Sequence, residues 1–411
     1  MPRKHFHWAW IILAICFLDL SVNYNIRLGF GILLPVMIQS LRLNRTEGAT
    51  ILNFYLAAYI CLTPFAGNLT DRYGARKIIS LFCIALGAGA LLMGTAKSFW
   101  TACISFTLAG AGASAMWVST LTVAQKWFDQ QKRGMAIGIL STGYGFGYAA
   151  MGIVFPVIVE SFSWRFCWYL LGSWAIGMVL LNGIFLRSRP EDLHLSPWGT
   201  EQGRLVGNMD TNILIKESQY QKVFKSSLFW TIGISYFFIA CTYYIVTTFM
   251  VDYVNLELGF SFKKASFLAT IRGLATVVGV LTIPVFSDRI GRKVTLLCCN
   301  MFVALSVLGI ISSGICVPSL FTSIALFGVF SGAIFPLYAV CAGDYFRKEI
   351  MGTVIGAWTP FYGVAAILAH FIGGRIRDLT QSYQTAFYIA FSFAILAAFC
   401  MLMVKRSGKE I

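Results

Sequence analysis

The chain alternates long apolar runs with short polar breaks. The runs fall near residues 8–37, 49–69, 78–96, 99–125, 134–159, 165–186, 227–251, 264–286, 294–314, 317–343, 350–372 and 384–404. About 20 apolar residues in a helix cross the roughly 30 Å hydrocarbon layer of a bilayer. A helix also satisfies its backbone polar groups internally, which lipid cannot do for it. The pattern therefore predicts an all-α membrane protein with twelve transmembrane helices. The first run follows Arg3 and Lys4, exceeds the short apolar core of a signal peptide and has no small-residue cleavage site after it, so it is read as a helix.

The longest polar stretch, Arg187 to Lys225, is nearly central and divides six predicted helices from six. This gives a first bundle over 1–187, a connecting segment over 188–225 and a second bundle over 226–411. Internal similarity supports a duplication. Gly67-Asn68-Leu69-Thr70-Asp71-Arg72-Tyr73-Gly74-Ala75-Arg76-Lys77 is echoed by Ser287-Asp288-Arg289-Ile290-Gly291-Arg292-Lys293, each between apolar runs. Trp127-Phe128, Gly134 and Ile137-Gly138 match Tyr345-Phe346, Gly352 and Ile355-Gly356 at nearly the same offset. Two separate matches at one spacing point to parallel six-helix repeats.

Charge refines the picture. Only 12% of residues are charged, against roughly 25% in a soluble domain, so lipid must solvate much of the surface. The net charge of +15 would suit nucleic acid or anionic lipid, but its distribution argues for topology. With cytoplasmic termini, roughly 22 of the 32 Lys and Arg fall on cytoplasmic segments and about 8 on outer ones. That bias predicts a multi-pass protein of the cell (inner) membrane with both termini inside, in contact with membrane lipids and not with nucleic acid. The eleven cysteines form no CxxC or Cys/His cluster and read as small apolar residues. No metal or cofactor is expected. HExxH, GxSxG and paired catalytic carboxylates are absent from the sequence, so an enzyme is not expected either.

Two cations, Arg27 and Arg272, fall inside predicted helices. Burying an arginine at bilayer depth costs roughly 3 kcal/mol on insertion scales, so such residues usually face a bundle interior or a wet cavity. Counting along the helices places both in the outer half of the membrane at similar height. Two like charges at one level favour an anion between them; the competing reading is that both snorkel to the outer surface. Asp19, Asn23 and Arg27 form an i, i+4, i+8 stripe. Asp19 lies about 12 Å from Arg27 along the axis, too far to neutralise it. It is the natural proton carrier, unless it is a structural carboxylate bonded to a neighbouring helix. Tyr144, Tyr148, Tyr243, Tyr244, Tyr338, Trp358 and Tyr362 lie on helices that can face a cavity, where a hydroxyl beside an apolar wall suits a partly apolar acid. Glu160 and His370 sit nearer the outer helix ends. Gly134–Gly138 and Gly143–Gly147 are spaced for close helix approach.

The loop residues Gly67, Asp71, Arg72, Gly74, Arg76 and Lys77, with the echo Asp288, Arg289, Gly291, Arg292 and Lys293, resemble the repeated loop motif of the major facilitator superfamily. Trp127-Phe128 with Lys132-Arg133-Gly134 and Gly138 is similar to the helix 4–5 junction of monocarboxylate and oxalate/formate transporters. Arg187 to Asp192 resembles the end of the first half in bacterial members. The resemblance implies a site between the halves near mid-membrane, alternating access and a function as a monomer. It also implies that Asp71, Arg72, Arg76, Asp288, Arg289 and Arg292 form a cytoplasmic gate. Arg27 resembles a cationic residue on helix 1 of some monocarboxylate transporters. The relatives' helix 8 arginine position holds Val280 here, and Val354 to His370 lacks the helix 11 lysine of oxalate exchangers, so their dicarboxylate clamp is not carried over.

The expected function is secondary transport of a small organic anion, most simply a monocarboxylate, by proton symport or by exchange against a counter-anion. Arg27 and Arg272 would hold the carboxylate, Asn23, Tyr144, Tyr243, Tyr338 and Tyr362 would orient it, and Asp19 would couple to protons. The alternative is an efflux carrier for neutral, zwitterionic or amphipathic compounds.

Overall fold

The computed structural model describes residues 7–129, 132–200, 224–346 and 351–404. Among them are twelve helices long and apolar enough to cross a membrane. They are α1 (Trp8–Leu41), α2 (Arg45–Tyr73), α3 (Ala75–Thr95), α4 (Phe99–Trp127), α5 (Arg133–Ser161), α6 (Trp164–Phe185), α7 (Ser227–Leu256), α8 (Phe262–Ile290), α9 (Arg292–Ser313), α10 (Val317–Tyr345), α11 (Met351–Thr380) and α12 (Gln384–Met403). No sheet forms among the described residues; Phe128 and Trp198 make an isolated bridge. Large apolar side chains such as Ile104 and Leu180 stay exposed, as lipid-facing positions require.

Every expected run is a helix, with differences at the ends. α2 and α11 continue past their apolar runs into charged residues, α11 as far as Thr380. Hydropathy falls where the chain meets the interface, whereas backbone bonding continues until a residue stops it. α4 is interrupted between Ala113 and Met116.

The chain divides into two units, residues 1–43 with 50–206, and residues 44–49 with 207–411. In the first unit α1 packs on α5, α6 and the second part of α4, and α3 packs on α4 and α6. In the second unit α7 packs on α11 and α12, and α9 on α10 and α12. These pairings repeat in the same order, as a duplicated six-helix bundle should. The motif turns repeat in backbone detail. Gly74 has φ 86° and ψ 142°, and Gly291 has φ 99° and ψ 143°, a conformation open to glycine and strained for other residues.

The close-approach expectation divides. Gly143 and Gly147 lie against Ser21 and Asn25 of α1, where a Cβ at Gly143 would come within 3.0 Å of Ser21 Oγ. A Cβ at Gly134 or Gly138 would meet nothing within 4 Å. That pair brings no helices together, since it lies on the open side of the first turns of α5 while Ala136 between the two is buried.

The segment expected to connect the bundles begins as part of the first. Residues 190–193 form a 3₁₀ turn, and Trp198 N donates to Trp127 O (2.9 Å) while Asp129 N donates to Trp198 O (3.0 Å). The Trp198 ring sits on Trp10 and Phe128, and Trp127 Nε1 donates to Arg187 O (2.9 Å). The remainder of that segment, 201–223, lies outside the described residues.

Candidate functional site

Arg272 is fully buried in α8. Its guanidinium carbon stands 5.0 Å from the centre of the Tyr243 ring on α7 and 5.6 Å from that of Phe327 on α10. The arrangement follows from helix packing, since α8 lies against both α7 and α10 within the second unit. Ring faces attract a cation through their quadrupole, by about 2 kcal/mol or more when water is excluded. The stacking thus offsets part of the cost of keeping the charge at depth.

Arg27 has the corresponding arrangement in the first unit. It is 8% exposed, and its guanidinium lies 5.5 Å from the Tyr59 ring of α2. Neither arginine is stretched out to solvent. Asn23, one turn back from Arg27, is buried with no hydrogen-bond partner for Oδ1 among the described residues. Tyr144 of α5 meets Tyr24 of α1 edge to face at 5.3 Å.

Asp19 points elsewhere. Asn182 Nδ2 of α6 donates to its Oδ1 (2.9 Å), and Cys83 Sγ of α3 lies 3.5 Å from the same atom. Oδ2 has no partner among the described residues. The expected stripe of Asp19, Asn23 and Arg27 is therefore shared out: helical drift turns Asp19 toward α3 and α6, and Arg27 toward α2. The second unit carries a matching polar node. Tyr338 Oη and Ser235 Oγ are 2.6 Å apart, Ser235 Oγ donates to Ala397 O (2.8 Å), and Asn300 Nδ2 is 3.4 Å from Tyr338 Oη.

Three of the four expected tyrosines join one aromatic network in the second unit. Tyr243 meets Phe335 at 5.1 Å and Phe335 meets Tyr362 at 5.1 Å, both edge to face. Tyr236 links Tyr362 (5.9 Å) to Tyr338 (4.8 Å). The hydroxyls of Tyr244 and Tyr362 are hydrogen-bonded to each other. His370, buried on α11, bonds Thr248 Oγ1 through Nε2 at 2.9 Å and lies edge-on to Tyr244 at 5.3 Å. Trp358 is turned away, donating to Phe229 O at 3.1 Å. Tyr236, Phe335, Phe327 and Tyr59 were not singled out by sequence reasoning. Their signal, an aromatic on an apolar helix, is too common in this chain to distinguish them.

The motif loops pair locally. Arg292 forms an ion pair with Asp288 and lies 3.6 Å from Asp344, while also bonding Ser287. In the first unit Arg76 N donates to Ser188 Oγ (3.1 Å), the Arg76 guanidinium bonds Gly183 O, and the Arg72 guanidinium stacks on Tyr73 at 5.4 Å.

Residues 44–49, the first turn of α2, belong to the second unit. Asp378 accepts from Arg45 N (2.9 Å), Thr46 N (2.8 Å) and Thr46 Oγ1 (2.6 Å), which satisfies amides a helix start leaves open. Arg45 Nε lies 3.2 Å from Asp252 Oδ2, which also accepts from Tyr383 Oη at 2.6 Å. Burial, and then the Asp252 carboxylate, push the Tyr383 phenol well above its usual range, so it remains a donor at physiological pH. Arg377 and Glu257 pair alongside at 3.1 Å. None of these charges was assigned a partner from sequence, because their contacts join residues more than a hundred positions apart.

A duplicated bundle of twelve apolar helices with arginines buried inside it defines a multi-pass membrane protein, and the family match makes it a transporter. The model of the Major Facilitator Superfamily matches residues 9–261 and 232–410, and the chain belongs to that family. It is similar to monocarboxylate transporter 12 of Mus musculus, at 24% identity over 98% of this chain and 86% of that protein. It is also similar to a probable sulfoacetate transporter of Cupriavidus necator, at 22% identity over 96% and 93%. The fold is shared with a mutant of the nucleoside transporter NupG, at a TM-score of 0.75 and 14% identity over 97% of this chain and all of that one.

Proposed function

We propose that the protein carries a small organic anion, with a monocarboxylate as the simplest candidate, across the cell membrane by alternating access. Arg272 carries the proposal. Its guanidinium is fully buried, seated against the Tyr243 and Phe327 rings, and a positive group kept at that depth in a transporter suits a negatively charged passenger. Arg27, similarly seated on Tyr59, provides a second positive group. Names among the relatives, monocarboxylate and sulfoacetate transporters, favour the same charge class.

In this reading Asn23 and the tyrosines Tyr144, Tyr243, Tyr338 and Tyr362 orient the acid. Asp19 takes up the coupled proton on Oδ2, which can be protonated without losing the bond from Asn182 to Oδ1. An acid that enters with a proton crosses with no net charge, which lowers the electrostatic cost of passage; exchange against a second anion achieves the same balance. Asp71, Arg72, Arg76, Asp288, Arg289 and Arg292 serve the cytoplasmic gate, and the positive-inside bias supports cytoplasmic termini.

The test is uptake of labelled acetate, lactate and benzoate into proteoliposomes. Uptake of at least one acid is expected, with at least a tenfold loss in Arg272→Gln when its melting temperature is preserved. Undiminished uptake in that variant would remove the mechanism. Transport of neutral compounds alone would favour the efflux alternative.

A further inference from the structure

The aromatic network beside Arg272 has more surface than the packing of α7, α10 and α11 uses. Tyr236, Phe335 and Tyr362 are only half-buried, whereas Tyr243, Tyr244 and Tyr338 around them are buried. The three rings touch one another, Tyr236 with Phe335 and with Tyr362 at 5.9 Å and Phe335 with Tyr362 at 5.1 Å, so their open faces form one aromatic patch.

Three tyrosine hydroxyls beside that patch are already engaged. The Tyr244 and Tyr362 hydroxyls bond each other, and the Tyr338 hydroxyl bonds Ser235 and Asn300. A sugar acid entering such a site would lose water from several hydroxyls and find those groups committed, at about 1–3 kcal/mol for each polar group left unsatisfied. A flat apolar body loses little water and meets ring faces and edges. The network supplies both orientations: Tyr236 and Tyr362 are nearly parallel at 24°, while Phe335 stands at 86° to Tyr362 and to Tyr243. Tyr243 then leads directly to the Arg272 guanidinium, 5.0 Å from its ring centre.

We propose that the second unit selects carboxylates built on an aromatic ring, the aryl- and arylalkyl-carboxylates, with Phe335, Tyr236 and Tyr362 as the specificity-determining residues. Arg272 receives the carboxylate and the three half-buried rings receive the body. The proposal rests on the anion reading above and adds to it the chemistry of the uncharged part of the substrate. It separates this chain from carriers of small polar acids, for which an aromatic wall offers no partner.

The test is calorimetric binding to the purified full-length protein with four probes: phenylacetate, cyclohexylacetate, acetate and neutral phenylacetamide. Phenylacetate is expected to bind about tenfold more tightly than acetate and about threefold more tightly than cyclohexylacetate, the latter reflecting ring–ring contact beyond area. Phe335→Leu keeps an apolar side chain without a ring and is expected to bring the phenylacetate-to-cyclohexylacetate ratio close to one. If that variant does not fold, Tyr236→Leu at its half-buried position carries the same measurement. Acetate binding as tightly as phenylacetate, with both lost in Arg272→Gln, would overturn the aromatic selection and leave the anion reading intact. Phenylacetamide binding as tightly as phenylacetate would overturn the anion reading itself, and the proposal with it.

Discussion

At the residue scale, an arginine inside an apolar helix is the most informative position the chain offers. The sequence pattern exposes Arg27 and Arg272 because charge is rare there; it hides their neighbours because the chain has 17 Tyr and 35 Phe. Only the fold shows that Tyr59, Tyr243 and Phe327 receive the two guanidinium groups. Lysine cannot replace that geometry, since its compact ammonium lacks the planar face and fork of guanidinium. Arg272→Lys is therefore expected to keep its melting temperature within a few degrees and to lose about tenfold in affinity for a carboxylate, roughly 1.4 kcal/mol. Wild-type affinity in that variant would mean that charge alone suffices. Asp19 makes a separate prediction. Asp19→Asn preserves a polar partner for Asn182 and removes the proton site, so acid uptake should lose its pH dependence while anion exchange persists. An unchanged pH profile would assign Asp19 to structure, as its contacts with Asn182 and Cys83 allow.

At the element scale, the helices were legible because a twenty-residue apolar run has few alternatives in lipid. Which face of each helix packs was not, because apolar residues surround these helices on all sides and periodicity then says little. The motif turns are the exception. Gly74 and Gly291 share one left-handed backbone geometry, so Gly74→Ala and Gly291→Ala should each destabilise the protein by about 1–3 kcal/mol. Thermal unfolding of the purified variants measures this, and an unshifted melting temperature for both would contradict it. The two cation–ring pairs also differ in an instructive way. In the first unit the arginine is on the first helix of the bundle and the ring on the second; in the second unit the order is reversed. Each unit thus has an arginine–tyrosine pair across its first two helices, with the two members on opposite helices. The first turn of α2 shows the same limit. Three bonds to Asp378 seat it in the second unit, but backbone amides leave no mark in a sequence. Asp378→Asn should cost about 1 kcal/mol, read from the same unfolding experiment.

At the scale of the whole molecule, the duplication visible in two loop motifs extends to helix packing and to a polar node inside each unit. Asp19 with Cys83 and Asn182 stands in the first, and Ser235 with Asn300 and Tyr338 in the second. Fold and family follow from that architecture, whereas the passenger depends on a few side chains within it. The central claim is that the buried Arg272 receives the anion. Counterflow of labelled benzoate in proteoliposomes tests it most directly, comparing the wild type with Arg272→Gln. The variant is expected to lower counterflow at least tenfold with its melting temperature preserved. Full counterflow in folded Arg272→Gln protein would contradict the account.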